Sequence, residues 1–399
     1  MTEIVIVSAT RSAITNLGGP FRNISLADLA GKAVREAIRR AGIESNLVDH
    51  VIMGNVIQTS EAPNVARMAG LLAGIPPETF TGITLNFQCG SSLEAVNQAA
   101  RLIELGECEI AVAAGVEIMS RSPFLMYNHR WGHKMGNDTL VDYFDDILTT
   151  VSTDLYGTFA VTQTAENLAQ QYGINRKDAD EFAVASHQKA VAAIQQGKFD
   201  DEIFSVEIPQ SRGPALVISK DERPRSDTNF DKMQKLPFLV HENGTVTAGN
   251  SSGINDGTAA VVIMSRAKAN ELGLTPMASI RSYATAGVNP TVMGIGPVPS
   301  TRKALKKANL SMKDIGLVEV NEAFAAQALA VIKELELDLD KVNVNGGAIA
   351  LGHPVGCSGT RILVTLIHEM HRRKTRFGLA TLCCGGGLGV ATIVENSLM

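Results

Sequence analysis

The feature that most restricts the fold is an order of elements that occurs twice. Apolar runs of strand length alternate with stretches whose apolar residues recur at helical spacing, the signature of an α/β protein. Ile4–Val7 and Val51–Met53 read as buried strands, and Leu26 to Ala41 reads as a helix stopped by Gly42, a good C-cap residue. A turn at Asn86 leads into a helix ending near Ile103, and Glu109–Ala114 returns as a strand. The order recurs near the C-terminus. Strand Ile315–Val320, a helix from Glu322 to about Leu335 and strand Val342–Val344 precede a glycine-rich turn over Asn345–Gly359. Helix Thr360–His371 and strand Gly378–Leu382 follow. Cys89-Gly-Ser-Ser opens one helix and Gly356-Cys-Ser-Gly its counterpart, and Gly257-Thr-Ala-Ala-Val-Val262 resembles Gly389-Val-Ala-Thr-Ile-Val394. We read a duplicated βα unit whose first copy is interrupted between about Ser120 and Gly244; chance likeness of two ordinary βα segments is the alternative.

The interruption has a different texture. It holds the only tryptophan, Trp131, and helical patterns around Gln163–Tyr172 and Arg176–Gln196, the second with a plausible N-cap at Asn175. Pro209, Pro214, Pro224 and Pro237 then punctuate a loop-rich run, which suits a binding surface laid over a scaffold or an oligomer contact.

Composition narrows the class. A chain of 399 residues suggests two or three domain-sized units, and 45% hydrophobic against 19% charged residues excludes wholesale disorder. The 36 basic and 41 acidic residues leave a net charge of −5, with no basic run interleaved with aromatics, so no nucleic-acid partner is expected. Five cysteines, an odd number, argue against a disulfide framework and for a reducing compartment. No apolar run approaches the roughly 18–20 residues of a membrane span, and the start carries Glu3 where a signal peptide wants a basic residue. The expectation is a cytoplasmic protein without membrane partners.

Four places carry candidate chemistry. Cys89 stands at a helix N-terminus, where the dipole and free N–H groups favour the nucleophilic thiolate; a buried inert thiol is the bland alternative. His353, held between Gly352 and Pro354, precedes the second copy's helix, so pseudo-symmetry brings it toward Cys89 as a proton acceptor, unless it merely bonds its own loop. Cys383 and Cys384 end a strand before Gly385-Gly-Gly387, whose N–H groups offer an oxyanion hole or, alternatively, a plain hairpin turn. Asn321-Glu322 follows a buried strand, where such groups must be bonded, used in chemistry, or spent on helix capping. No metal site is expected: His129 and His133 lack a third ligand, and His368 and His371 read as cations favoured by a helix C-terminus.

Together these residues resemble the four active-site motifs of the thiolase family: Cys89-Gly-Ser, Asn321-Glu-Ala-Phe, Gly352-His-Pro and Cys383-x-Gly-Gly-Gly. The likeness covers essentially the whole chain. It implies a thiolase fold of two duplicated βαβαβαββ halves in a five-layered α-β-α-β-α body with an inserted loop domain. The corresponding boundaries are 1–120 plus 245–270 for the nucleophile half, 121–244 for the insert, and 271–399 for the second half. By the same resemblance, Cys89 is acylated, His353 takes its proton, Cys383 is the second base, and Asn321 holds a water in an oxyanion hole. The N–H groups of Cys89 and Gly385 form the other hole, Ser252 lies near the pantetheine arm, and Arg225 lies beside the nucleotide of coenzyme A.

The implied activity is reversible Claisen condensation of two acetyl-CoA, with coenzyme A as substrate and product and no tightly bound cofactor. Broader 3-ketoacyl-CoA thiolysis is the runner-up, and a non-catalytic thiolase-like binder a third reading. The family assembles as dimers or tetramers. One departure bears on substrate: before Thr164-Ala-Glu-Asn167, acetoacetyl-specific members usually carry His-Met-Gly, whereas this chain has Ala160-Val161-Thr162. Phe87 and Ser92 also differ from the commoner residues.

Overall fold

The computed structural model describes residues 2–127, 129–149 and 153–398, with the backbone alone at 153 and 154. The first half contains β1 (Ile4–Ser12), α1 (Leu26–Ala41), β2 (His50–Gly54), α2 (Val65–Ala73), β3 (Thr81–Leu85), α3 (Ser91–Glu104) and β4 (Ile110–Ile118). The interruption contributes α4 (Tyr143–Thr149), α5 (Val161–Tyr172) and α6 (Arg176–Gln195), and β5 (Asn255–Ser265) closes the half. The second half runs β6 (Ala278–Gly287), α7 (Pro297–Ala308), β7 (Leu317–Val320), α8 (Ala325–Glu334), α9 (Ser358–Arg373), β8 (Phe377–Cys384) and β9 (Leu388–Asn396).

The strands lie in the order β7-β8-β9-β6-β1-β5-β4-β2-β3. That order reads as a mirror about the β6–β1 junction, where only Val5↔Ser279 and Ile6↔Ala278 pair. On either side an antiparallel pair (β9 on β6, β5 on β1) leads to a parallel pair (β7 with β8, β2 with β4). Both junction strands also break register at the same place, between Ile6 and Ser8 in β1 and between Ile280 and Ser282 in β6. A bulge at matching positions is a second, independent mark of duplication.

Layering follows from side-chain alternation. Along β1, Val5 and Val7 join the outer layer built by Leu29, Ala33 and Val34 of α1, while Ile4, Ile6 and Ala9 face inward. The inner cluster unites Leu93 and Val96 of α3 with Ile362, Leu363 and Leu366 of α9, together with strand residues of both halves. Val298 and Leu305 of α7 and Val331 of α8 cover the far face of the second half. The result is a five-layered α-β-α-β-α body.

Local signals explain the boundaries. Ser25 accepts from Asp28 N–H to start α1, and Gly42 at φ 70° ends it. Asn175 and Asp178 form a reciprocal capping box on α6. Two expectations fail. Val342–Val344 makes a single bridge, Val318↔Val342, instead of a strand. Asn343 turns to φ 44°, and its amide bonds both the N–H and C=O of Val320 at 2.9 Å, replacing the backbone partner that a strand would supply. The stretch Asn345–Gly359 is also not all turn, since Ala348–Leu351 forms a short helix.

The insert is anchored to both halves. Arg11 of β1, fully buried, pairs with Glu202 at 2.6 Å and Asp221 at 2.8 Å. Helix α6 buries Ala190 and Ala193 against Ala350 and Leu351, and Ala179 and Ala183 against Ala325 and Ile349. These contacts place the insert beside the loops that carry His353 and Asn321.

Candidate active site

Side chains wind the turn that presents Cys89. Asn86 Oδ1 accepts from Gln88 N–H at 2.9 Å. Ser91 Oγ accepts from Phe87 N–H at 2.8 Å and donates to Gln88 C=O at 2.6 Å. Gln88 sits at φ 51°, a strained value for a residue with a side chain. Gly90 follows because a Cβ there would lie 2.6 Å from Cys384 Sγ and 2.7 Å from Val390 Cγ1. Cys89 is thus held at the mouth of α3, half-buried, with its own N–H and that of Gly385 directed at its sulfur.

The expectation of a lowered thiol pKa is overturned. Burial pushes the Cys89 thiol up to about 11, a larger effect than the N–H groups that oppose it. Desolvation penalises the thiolate more than the helix terminus rewards it. Cys383 is raised as well, first by burial and then by the neighbouring Cys89. The resting site therefore holds neutral thiols.

His353 rides on a turn that needs Gly352, which takes φ 109° and whose Cβ would sit 2.6 Å from the Asn255 amide. That amide accepts His353 N–H at 3.0 Å and fixes the loop. The ring is clamped at both nitrogens, with Nδ1 2.6 Å from Ser358 Oγ and Nε2 3.4 Å from Asn321 Nδ2. Ser358 donates its own hydroxyl hydrogen to Pro354 C=O at 2.9 Å, so it accepts from Nδ1–H and leaves the Nε2 lone pair to take a proton. Burial, aided by the charge of Arg361, drives His353 down to about 3 and keeps the ring neutral.

Asn321 is fully buried, and neither it nor Glu322 caps α8, which starts at Ala325 behind Phe324. Glu322 instead accepts from Ser186 Oγ at 2.7 Å, Asn343 Nδ2 at 2.7 Å and Ile349 N–H at 3.2 Å, bracing the loops around the site.

A cavity of about 350 Å³ gathers Cys89, His353, Ser252, Gly385 and Gly386. Its walls are largely apolar, including Met119, Phe144, Ile147, Phe159, Val161 and Leu239. Ser252 is placed by its N–H bonding Ala323 C=O at 2.9 Å, which stitches the loop after the insert to the Asn321 segment. Asn321 and Cys383 lie behind the wall, Cys383 packed with Ala323 and Phe324. Arg225 is exposed and lines an adjoining cavity with His187 and Lys232.

Sequence reasoning missed two residues. Arg223 lines both cavities, bonding Ile349 C=O at 2.9 Å and Ser251 C=O at 3.4 Å, and its position two residues before Arg225 was the available signal. Glu117 lies buried at the end of β4, and a lone charge in the otherwise apolar run Ile110–Ile118 marked it. Among the histidines, His371 is not a cation at its helix end: burial lowers its pKa, and its Nε2 meets Met277 C=O at 2.8 Å. His129 bonds Asp138 at 2.8 Å, and His133 lies 3.7 Å from the same carboxylate. Cys108, Cys357 and Cys384 are free and buried.

Comparison with known proteins places the chain. The thiolase N-terminal domain model matches residues 4–267 and the thiolase C-terminal domain model residues 274–396. The chain is 50% identical to an acetyl-CoA acetyltransferase of Cupriavidus necator over 396 residues, 99% of this chain and 100% of that protein. It superposes on the crystal structure of the Bacillus anthracis acetyl-CoA acetyltransferase with a TM-score of 0.96, at 46% identity and 99% coverage of each chain. Human mitochondrial 3-ketoacyl-CoA thiolase in complex with CoA matches with a TM-score of 0.94 and 41% identity, over 99% of this chain and 98% of that one.

Proposed function

The chain belongs to the thiolase family, and from that premise we propose that it is an acetyl-CoA acetyltransferase, joining two acetyl-CoA into acetoacetyl-CoA and coenzyme A, or running the reverse thiolysis. The observation that carries this reading is the convergence of Cys89, His353 and the Gly385 N–H on one largely apolar cavity. Cys89 attacks the thioester carbonyl while its proton passes to His353 Nε2, so a neutral pair becomes charged only as the bond forms. The N–H groups of Cys89 and Gly385 stabilise the oxyanion, and Cys383 gives its thiol proton to the departing CoA sulfur while His353 stays protonated. Cys383, as thiolate, then removes an α-proton from the second acetyl-CoA. The resulting carbanion attacks the acyl-cysteine, and His353 hands its proton back to the Cys89 sulfur that is expelled, so that Cys89, His353 and Cys383 all end neutral. Asn321, against His353 Nε2, orients a water for the second oxyanion. Ser252 meets the pantetheine arm, and Arg225 the nucleotide end of CoA.

In this reading residues 1–120 with 245–270 form the nucleophile half, 121–244 the insert that covers the substrate, and 271–399 the half supplying Asn321, His353 and Cys383. We assign the protein to the cytoplasm and to lipid metabolism, as a homodimer or homotetramer. Trp131 and Met135 of the insert, 91% and 92% exposed, suit an oligomer contact. No helix among the described residues is long and apolar enough to cross a membrane.

Incubation with acetyl-CoA, followed by mass spectrometry, is expected to show one acetyl group on Cys89. Cys89→Ala should lose the adduct and lower thiolysis of acetoacetyl-CoA by on the order of 10^4-fold. An unmodified Cys89 with normal turnover would exclude the mechanism. Because Val161 and Thr162 line the cavity, a ketoacyl-CoA chain-length series belongs in the same experiment. Faster turnover of longer chains than of acetoacetyl-CoA would favour the broader thiolase.

A further inference from the structure

Glu117 has no part in the chemistry above, yet its surroundings are built around it. The side chain is fully buried at the end of β4. Oε1 accepts from Asn55 Nδ2 at 2.8 Å and Ile57 N–H at 3.1 Å. Oε2 accepts from Val56 N–H at 2.9 Å and Gly356 N–H at 2.9 Å. A carboxylate offers about four lone-pair sites, and all are used. Among the described residues no cation pairs with it. The charged or titratable groups that face it are Asp256 of β5, Cys89 and Cys357, so its partners are neutral donors alone.

These donors come from different halves of the molecule. Asn55, Val56 and Ile57 form the loop after β2, and Gly356 stands three residues beyond His353. Val56 and Val355 are cavity wall, packed with Met119, Ile254 and Cys89 itself. The turn approaches so closely that a Cβ on Gly356 would lie 2.6 Å from Glu117 Oε2 and 2.9 Å from Asn55 Cα.

We propose that Glu117 is a positioning residue for the acyl transfer. By clamping the 55–57 loop to the 354–356 turn, it sets the spacing between the His353 turn and the wall that confines the acyl group on Cys89. This rests on the thiolase reading of the site. A glutamine of the same shape keeps only one acceptor oxygen, and its NH2 meets N–H groups it cannot satisfy, so two of the four bonds are lost.

Glu117→Gln is expected to lower kcat for acetoacetyl-CoA thiolysis roughly tenfold or more, since small misplacements at a reacting centre are costly. KM for CoA should stay within about threefold, because the clamp does not touch the CoA arm. The pH midpoint for alkylation of Cys89 by iodoacetamide should move down, because the Glu117 charge adds to the forces raising that thiol. Gly356→Ala, pressing on the clamp from the other side, should reproduce the kcat loss. If both variants keep kcat within about twofold and the alkylation midpoint stays in place while only thermal stability falls, Glu117 is a structural tie and the proposal is wrong. Failure of the thiolase reading would look different: the unmodified protein would show no thiolysis, yet the alkylation comparison would still report on Glu117.

Discussion

Two influences compete at Cys89, and their balance shapes the reaction. The mouth of α3 and two N–H groups favour the thiolate, but the apolar chamber raises the thiol to about 11. His353, held near 3, stays neutral across the physiological range. Its pKa lies below the ordinary 6.5, so falling pH does not protonate it until far below neutrality. Acylation of Cys89 should therefore show no acid limb near pH 6.5 when followed by rapid quench; a limb with that midpoint would mean that His353 titrates normally. The same shift bears on stability. The unfolded chain binds a proton at His353 below about pH 6.5 that the folded chain refuses until about 3, so His353 costs stability progressively as pH falls through that window.

At the scale of elements, packing decides more than propensity. Leu29 and Val34 of α1 are fully buried against the first half's sheet. Leu29→Ala should destabilise by about 2–5 kcal/mol, because transfer and cavity costs add. Urea unfolding would measure this as a lower midpoint, and an unchanged midpoint would contradict the layer assignment. The helix itself was legible in sequence because Ser25, the apolar periodicity and Gly42 are local signals. Val342–Val344 was not, since its β-branched residues favour a strand while the Asn343 side chain takes the hydrogen bonds that a strand would use. The motif segments likewise gave the candidate site residues, but not that Asn321 and Cys383 stand behind the cavity wall.

Across the whole molecule, duplication produces one body instead of two. Helices α3 and α9 share a single central cluster fed by strands of both halves. A fragment of residues 271–399 alone would expose the faces of Ile362, Leu363 and Leu366 of α9, losing roughly 1.5–3 kcal/mol for each side chain. It should show no cooperative thermal transition by circular dichroism; a sharp transition would establish the half as an independent unit.

The sequence by itself determined the repeated element order, the helix caps and the motifs that align with the thiolase family. Those signals lie within a few residues of one another, where backbone propensity and spacing act. Only the tertiary structure decided that Glu117 joins loops of both halves, that Arg223 lines both cavities, and that Cys89 rests as a thiol. Each depends on which distant segments meet and exclude water, and burial and hydrogen-bond closure have no local signature.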